Sequence, residues 1–207
     1  MTLEEVLYRY KNTYYSFPQP LKLFLGDLYG SLPLRFRYGN NYELHKRILE
    51  KFENSDAQYK QEFMFNKTLE TILFAEKNIP YYKETFAKSG ISASDFKELT
   101  DMKKFPVIGK QDIKKNLEQI HTDIKEKPVA YHSGGSMTTP TKFYLPSSSR
   151  AKEKAYVNYI FSKINYKYRD KTGVLKGRKP SKPEENIFWD YDPLDNFFFV
   201  SNNYMNS

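Results

Sequence analysis

The chain has 207 residues and a formal net charge of +8, and its content of 39% hydrophobic residues excludes a disordered tail. The absence of cysteine excludes disulfides, thiolate nucleophiles and cysteine-type zinc sites. The first residues are acidic where a signal peptide is basic, and no apolar stretch is long enough to span a bilayer, so we expect a soluble, cytoplasmic protein without a membrane partner.

Helical patterns dominate the first half of the chain. Residues 1–41 are expected to form an N-terminal extension of short helices interrupted by proline and glycine, and residues 42–207 the main body. Helical spacing of apolar residues predicts a helix over 41–54 and a stronger one over 56–77, which ends before Pro80.

The elements that follow are shorter. A short amphipathic helix is predicted to end near Gly90, and a turn of helix is predicted between Ser92 and Leu99. An extended segment around Pro106 then leads into a helix from about Lys110.

Strands are predicted in the second half. Those at 128–132 and 141–145 flank a polar loop, a helix with an apolar stripe follows over 151–164, and short buried strands are predicted at 172–176 and 196–201. This order of strand, loop, strand, helix and strand predicts an α/β body.

The polar loop lies within YHSGGSMTTPTKFY, residues 131–144. Glycine allows close approach of the backbone to a ligand, and successive amides with hydroxyls can form a nest for phosphate oxygens. The same composition is typical of an ordinary hairpin turn, and the loop alone leaves both interpretations open. The candidate cofactor-binding residues are Ser133, Gly134, Gly135, Ser136, Thr138, Thr139 and Lys142.

Other clusters have alternative interpretations. The basic stretch 167–182, next to Tyr166 and Tyr168, is either a patch for nucleic acid or another anion, or a solvated lysine-rich surface. We favour the solvated surface, because basic residues are spread along the chain and no nucleic-acid-binding motif accompanies them.

Metal chemistry is not expected. The three histidines, His45, His121 and His132, are far apart and lack a metal-binding motif. An acidic cluster of Asp190, Asp192 and Asp195 is compatible with a cation site, but also with a proline-containing turn. The aromatic residues around it, Trp189, Tyr191 and 197–199, are either core and sheet positions or part of an acyl pocket, and we favour core and sheet positions.

Several segments resemble one known family when they are taken in order. They are NIPYYKETFAKSGI at 78–91, LTDMKKFPVIGKQDIKKN at 99–116, the loop with TPTKFY, VLKGRK at 174–179 and NFFFVSNNYMNS at 196–207. Together they resemble the N-terminal part of the phenylacetate-CoA ligase-like adenylate-forming proteins, most closely the branch associated with capsular polysaccharide biosynthesis. The resemblance covers about residues 42–207 and implies an incomplete N-terminal domain of an acyl-CoA synthetase-like enzyme.

The resemblance implies activation of a carboxylate with ATP and Mg2+, followed by transfer of the acyl group to CoA or another acceptor. The family loop reads approximately Thr-Ser-Gly-Ser-Thr-Gly-Thr-Pro and wraps the β- and γ-phosphates. In this chain Met137 replaces a hydroxyl donor, and Thr138 replaces a glycine with a β-branched residue that resists positive φ.

The family's later motifs, which hold adenine, ribose and magnesium and supply a lid lysine, would lie beyond residue 207. We therefore expect this chain not to catalyse adenylation by itself, and a partner chain is one candidate source of the remaining half. Two alternatives are a non-catalytic interaction module and a basic nucleic-acid-binding protein.

Overall fold

The computed structural model describes residues 2–122, 128–133, 140, 142–177, 179–181 and 183–204. The helices are α1 (Leu3–Arg9), α2 (Lys11–Ser16), α3 (Gln19–Ser31), α4 (Leu34–Asn54), α5 (Ala57–Asn78), α6 (Pro80–Lys88), α7 (Lys110–Lys115), α8 (Leu117–Ile120) and α9 (Ser149–Ser162). The strands are β1 (Pro128–His132), β2 (Lys142–Pro146), β3 (Thr172–Lys176), β4 (Trp189–Asp192) and β5 (Phe197–Ser201). Single 3-10 turns occur at Ala93–Asp95, Leu99–Lys104, Pro183–Glu185 and Asn202–Tyr204.

The chain forms two compact units. Residues 48–149 make a continuous unit, and residues 1–47 together with 150–207 make a discontinuous unit. The mixture of helix and sheet agrees with the predicted α/β composition, whereas the proposed boundary between residues 41 and 42 stays a prediction. No helix in the described ranges is both long and apolar enough to cross a membrane.

Local sequence signals explain the helices of the continuous unit. The Asp56 carboxylate accepts a hydrogen bond from the Tyr59 amide at 2.8 Å, which caps α5. Pro80 ends that helix and occupies the first turn of α6, where its missing N–H is tolerated. The predicted helices over 56–77 and up to Gly90 are therefore confirmed within a few residues.

Aromatic side chains form the core of the continuous unit. The buried residues are Ile72, Phe86, Ala93, Phe96 and Phe105. Phe96 stacks on Phe65 with centroids 5.2 Å apart, and Phe86 meets Phe105 edge-on at 5.3 Å. The core thus joins α5 and α6 to the segment that follows them.

A buried carboxylate, that of Asp101, stabilises the 3-10 segment Leu99–Lys104 through hydrogen bonds. Asp101 accepts hydrogen bonds from the backbone amides of Lys97 at 2.7 Å and Glu98 at 2.9 Å, and pairs with Lys104 at 2.7 Å. The hydrogen bond from Lys104 and those from the two amides lower the pKa of Asp101 to about 2.

We expect Asp101→Asn to lower the stability of the continuous unit near neutral pH, because an amide has no charge to pair with Lys104. The folded-state pKa is below the ordinary value of about 4, so the carboxylate stabilises the fold above pH 4 and loses this effect as the pH falls from about 4 to about 2. Urea midpoints measured over this range should therefore converge for the two proteins.

Glu84→Gln is the matched control, because Glu84 is exposed and pairs with Lys88 on the surface of α6. Its effect should be small at every pH. A constant difference between Asp101→Asn and the unsubstituted chain down to pH 2 would contradict a carboxylate with a lowered pKa.

The discontinuous unit contains α1 to α3, the start of α4, α9 and a three-stranded sheet of order β3-β5-β4. Strand β3 is parallel to β5, and β4 is antiparallel to it. Both β3 and β5 lie where buried strands were predicted, but the predicted burial of β3 is wrong, since Leu175 is 61% exposed. Strand β4 was not predicted as a separate strand. Its alternation of aromatic and acidic residues, Trp-Asp-Tyr-Asp, was partly interpreted as a turn because aspartate favours turns.

Gly39 explains why the regular part of α4 begins close to residue 41, where the sequence predicts a helix. Gly39 has φ +72°, which interrupts the helical backbone within α4. The sequence downstream of it then continues as a regular helix to Asn54, as predicted.

A buried arginine contacts distant parts of the discontinuous unit. Arg37 is 1% exposed, and its guanidinium lies 3.9 Å from the ring centroid of Tyr29 and 5.0 Å from that of Tyr168. It also donates a hydrogen bond to the Tyr168 hydroxyl. Burial raises the pKa of Tyr168 to about 12, so this ring stays neutral over the physiological range.

Carboxylates lie at both ends of this arrangement. Tyr29 donates to Glu4 at 2.6 Å, and Glu4 also accepts from Arg150 at 2.9 Å. At the other end the Tyr168 hydroxyl donates to Asp195 at 3.3 Å. We call this set of contacts the tyrosine–arginine network; it connects the N-terminal helices to the last third of the chain.

Candidate functional site

The predicted phosphate loop connects the two strands of a hairpin. Strands β1 and β2 are antiparallel, with Pro128 opposite Pro146 and His132 opposite Lys142. The predicted strand at 128–132 is confirmed, and the predicted strand at 141–145 is shifted by one residue. Five of the candidate residues lie outside the described ranges: Gly134, Gly135, Ser136, Thr138 and Thr139.

Lys142 and His132 therefore face each other at the base of the connection. Directly after His132 comes Ser133, which is partly buried. This base thus carries an ammonium, an imidazole and a hydroxyl, all of which can donate hydrogen bonds to phosphate oxygens when protonated. The assignment of cofactor-binding roles to Ser133 and Lys142 stays a prediction.

Tyr144 is an additional residue of this base that sequence reasoning did not single out. Its ring centroid lies 5.0 Å from the Lys142 ammonium, and the His121 ring approaches it edge-on at 6.0 Å. The contact between Lys142 and Tyr144 could have been predicted, because residues two positions apart in a strand lie on the same face. The contact with His121 has no comparable signal, since it comes from a distant segment.

The opposite face of the hairpin carries a stacked aromatic pair. Tyr131 and Phe143 are direct cross-strand partners, with ring centroids 5.9 Å apart and an interplanar angle of 19°. Such a pair stabilises a strand register by roughly 0.2–1 kcal/mol. It therefore helps to hold Lys142 opposite His132.

The acidic cluster in the discontinuous unit has separate partners for each carboxylate. Asp190 accepts hydrogen bonds from Ser181, Asp192 from the Leu194 amide at 3.0 Å, and Asp195 from Lys154 at 3.2 Å. Within the described part of the chain, no group of three or more metal-ligating side chains is placed to hold a metal ion.

Part of the basic stretch 167–182 is used for packing. Arg169 donates to the Asp27 carboxylate and to the Pro193 carbonyl, both at 2.9 Å, and Tyr168 belongs to the tyrosine–arginine network. Tyr166 meets Phe161 edge-on at 5.3 Å. Whether the stretch binds nucleic acid stays a prediction.

A second concave site lies in the discontinuous unit. It is a cleft of about 720 Å3 between the α2–α3 junction and the sheet around β4. We call it the aromatic cleft, and its lining residues are Tyr14, Tyr15, Phe17, Pro18, Gln19, Lys22, Ser181, Ile187, Trp189, Asp190, Tyr191, Asp192, Pro193 and Phe199. Sequence reasoning weighed a pocket at Trp189, Tyr191 and 197–199 but favoured core positions, and it missed the α2–α3 wall because the two walls are more than a hundred residues apart in the chain.

Two known proteins are similar to this chain. Protein CapK of Staphylococcus aureus is 26% identical over 186 residues, which cover 83% of this chain and 37% of that protein. Phenylacetate-coenzyme A ligase of Escherichia coli (strain K12) is 32% identical over 95 residues, which cover 45% of this chain and 22% of that protein. The chain thus spans well under half of the length of either relative. No protein-family model matches it.

Proposed function

We propose that this chain, a relative of the phenylacetate-CoA ligase-like proteins, takes part in the ATP-dependent activation of a carboxylate. The observation that carries the proposal is the β1–β2 hairpin, whose connection holds the Ser/Gly/Thr sequence and whose base pairs His132 with Lys142. The nucleotide phosphates would bind at this connection, with Ser133, Gly134, Gly135, Ser136, Thr138, Thr139 and Lys142 as the candidate contacts.

The donor set at the base of the hairpin fits a phosphate group. Lys142 supplies a positive charge, and Ser133 supplies a hydroxyl and a backbone amide. The ammonium of Lys142 lies over Tyr144, a contact worth roughly 0.5–1 kcal/mol at an exposed site, so a phosphate can compete for it. We assign no magnesium ligand among the described residues.

Bound ATP would supply the leaving group that activates the carboxylate, and CoA or another nucleophile would accept the acyl group. We propose that the 207-residue chain binds nucleotide without completing this reaction. Two features support the absence of a complete reaction. Met137 and Thr138 depart from the family loop, and the aligned part of the chain covers about a third of Protein CapK. A partner chain is one way to supply the remaining groups.

We expect Mg-ATP to bind the purified chain in calorimetric titration, and Lys142→Ala to weaken that binding about tenfold, which corresponds to the loss of one charge-assisted contact. Ser136→Ala should weaken it by a smaller factor, because a neutral hydroxyl contributes less than a charge. Isotope exchange between pyrophosphate and ATP should be absent for the chain alone.

Lys83→Ala is the matched control, since Lys83 is exposed on α6 of the same unit and the substitution removes the same charge. It should leave the affinity unchanged. The absence of binding heat with the folded chain would contradict the proposal that this chain binds nucleotide. Equal losses of affinity in Lys83→Ala and Lys142→Ala would show that only the net charge of the chain matters.

A further inference from the structure

The aromatic cleft has the size of a small-molecule site. Its volume of about 720 Å3 lies within the range of roughly 300–1,000 Å3 that is typical of ligand pockets. One wall comes from the α2–α3 junction, which precedes the segments that resemble the ligase family. The cleft is thus distinct from the hairpin and its phosphate contacts.

Six of the fourteen described residues that line the cleft are aromatic. Tyr14 is buried at the floor, whereas Tyr15 and Trp189 are 47% and 48% exposed. Tyr14 and Tyr15 meet edge-on, with centroids 5.6 Å apart. Partly exposed ring faces of this kind bind other rings by stacking and bind cations through the electron-rich face.

The charge of the lining is acidic, although the whole chain carries +8. Asp190 and Asp192 are both partly buried in the lining, and among the lining residues that the structure describes Lys22 carries the opposite charge. Burial raises the pKa of Tyr14, and the nearby carboxylates of Asp192 and Asp27 raise it further.

We propose that the aromatic cleft binds a small organic cation that contains a ring and an ammonium group. The ring of Trp189 already stacks on that of Phe198 at 5.0 Å, so Tyr15 is the accessible ring for stacking with such a ligand. Asp190 and Asp192, which share one face of β4, attract its positive charge. A carboxylate or phosphate ligand of the same size is disfavoured, because it would meet two like charges. Its lining residues differ from the candidate nucleotide contacts, and the proposal does not depend on them.

Trp189 is the single tryptophan of the chain, so its fluorescence reports directly on the cleft. We would titrate the full chain with phenethylammonium and, in parallel, with 3-phenylpropionate, which has a similar shape and the opposite charge. The expected result is a saturable change of emission with the cation and at least tenfold weaker binding of the anion. The absence of a saturable change with the cation, or equal binding of both probes, would overturn the proposal.

Two variants separate charge from stacking. Asp192→Asn keeps an oxygen that can accept the Leu194 amide, and it should weaken binding of the cation about tenfold through the loss of charge. Tyr15→Ala should weaken binding of both probes. Glu153→Gln, an exposed charge change on α9, is the control and should bind like the unsubstituted chain. Unchanged affinity in a folded Asp192→Asn protein would overturn the role of the carboxylates.

Discussion

Arg37→Ala should destabilise the discontinuous unit by about 3–5 kcal/mol, because truncation leaves a void and removes hydrogen-bond partners from buried hydroxyls. The side chain is 1% exposed and contacts Tyr29, Tyr38 and Tyr168. Urea unfolding followed by the emission of Trp189, which lies in the same unit, measures the effect.

Two further substitutions separate the contribution of the Arg37 charge from that of its volume and provide a control. Arg37→Met retains much of the volume without the charge, and its effect should be smaller, about 1–2 kcal/mol, since burial of the guanidinium itself opposes folding. Arg47→Ala removes an exposed arginine and should change the stability by less than about 0.5 kcal/mol. An Arg37→Ala protein as stable as Arg47→Ala would show that the network does not stabilise the fold.

Phe96→Ala should destabilise the continuous unit by about 3–5 kcal/mol, the usual range for truncation of a buried phenylalanine. Phe96 is 3% exposed and contacts the rings of Phe65 and Phe105, so no neighbour can easily fill the space it leaves. Because this unit has no tryptophan, hydrogen exchange of α5 and α6 at increasing urea concentration is the suitable measurement.

Phe74→Ala is the corresponding control, since Phe74 lies on α5 but is 49% exposed. Its effect should stay below about 1 kcal/mol, because little of its surface is removed from water. Phe96→Leu should fall between the two alanine variants. If hydrogen-exchange protection of α5 and α6 fell as much in Phe74→Ala as in Phe96→Ala, Phe96 would contribute no more to the core than an exposed residue.

Local signals explain which parts of the fold were predictable. The proline at position 80, the cap at Asp56 and the apolar spacing of α5 act within a few residues, so they could be recognised in the sequence. The hairpin was predictable for the same reason, since short β-type runs flank a Gly/Ser/Thr connection.

Long-range pairing was not predictable in this way. Strand β4 owes its conformation to pairing with β5, which overrides the turn preference of Asp190 and Asp192. The burial of Arg37 depends on tyrosines from distant helices and loops, and a sequence pattern gives no signal for such contacts. The same holds for the aromatic cleft. The candidate phosphate residues were recognised from composition and resemblance, and most of them lie outside the described ranges.

The discontinuous unit has a consequence for synthesis on the ribosome. Arg37 and its partner Tyr168 are 131 positions apart, and Glu4 and Arg150 are 146 positions apart. At roughly 5–20 residues per second, the N-terminal helices wait on the order of 10 s for these partners. The continuous unit, residues 48–149, is complete before the partners emerge and can fold during this interval. Nascent chains thus carry α1 to α3 without their native contacts to residues 150–207, and this interval is where chaperones would act on them.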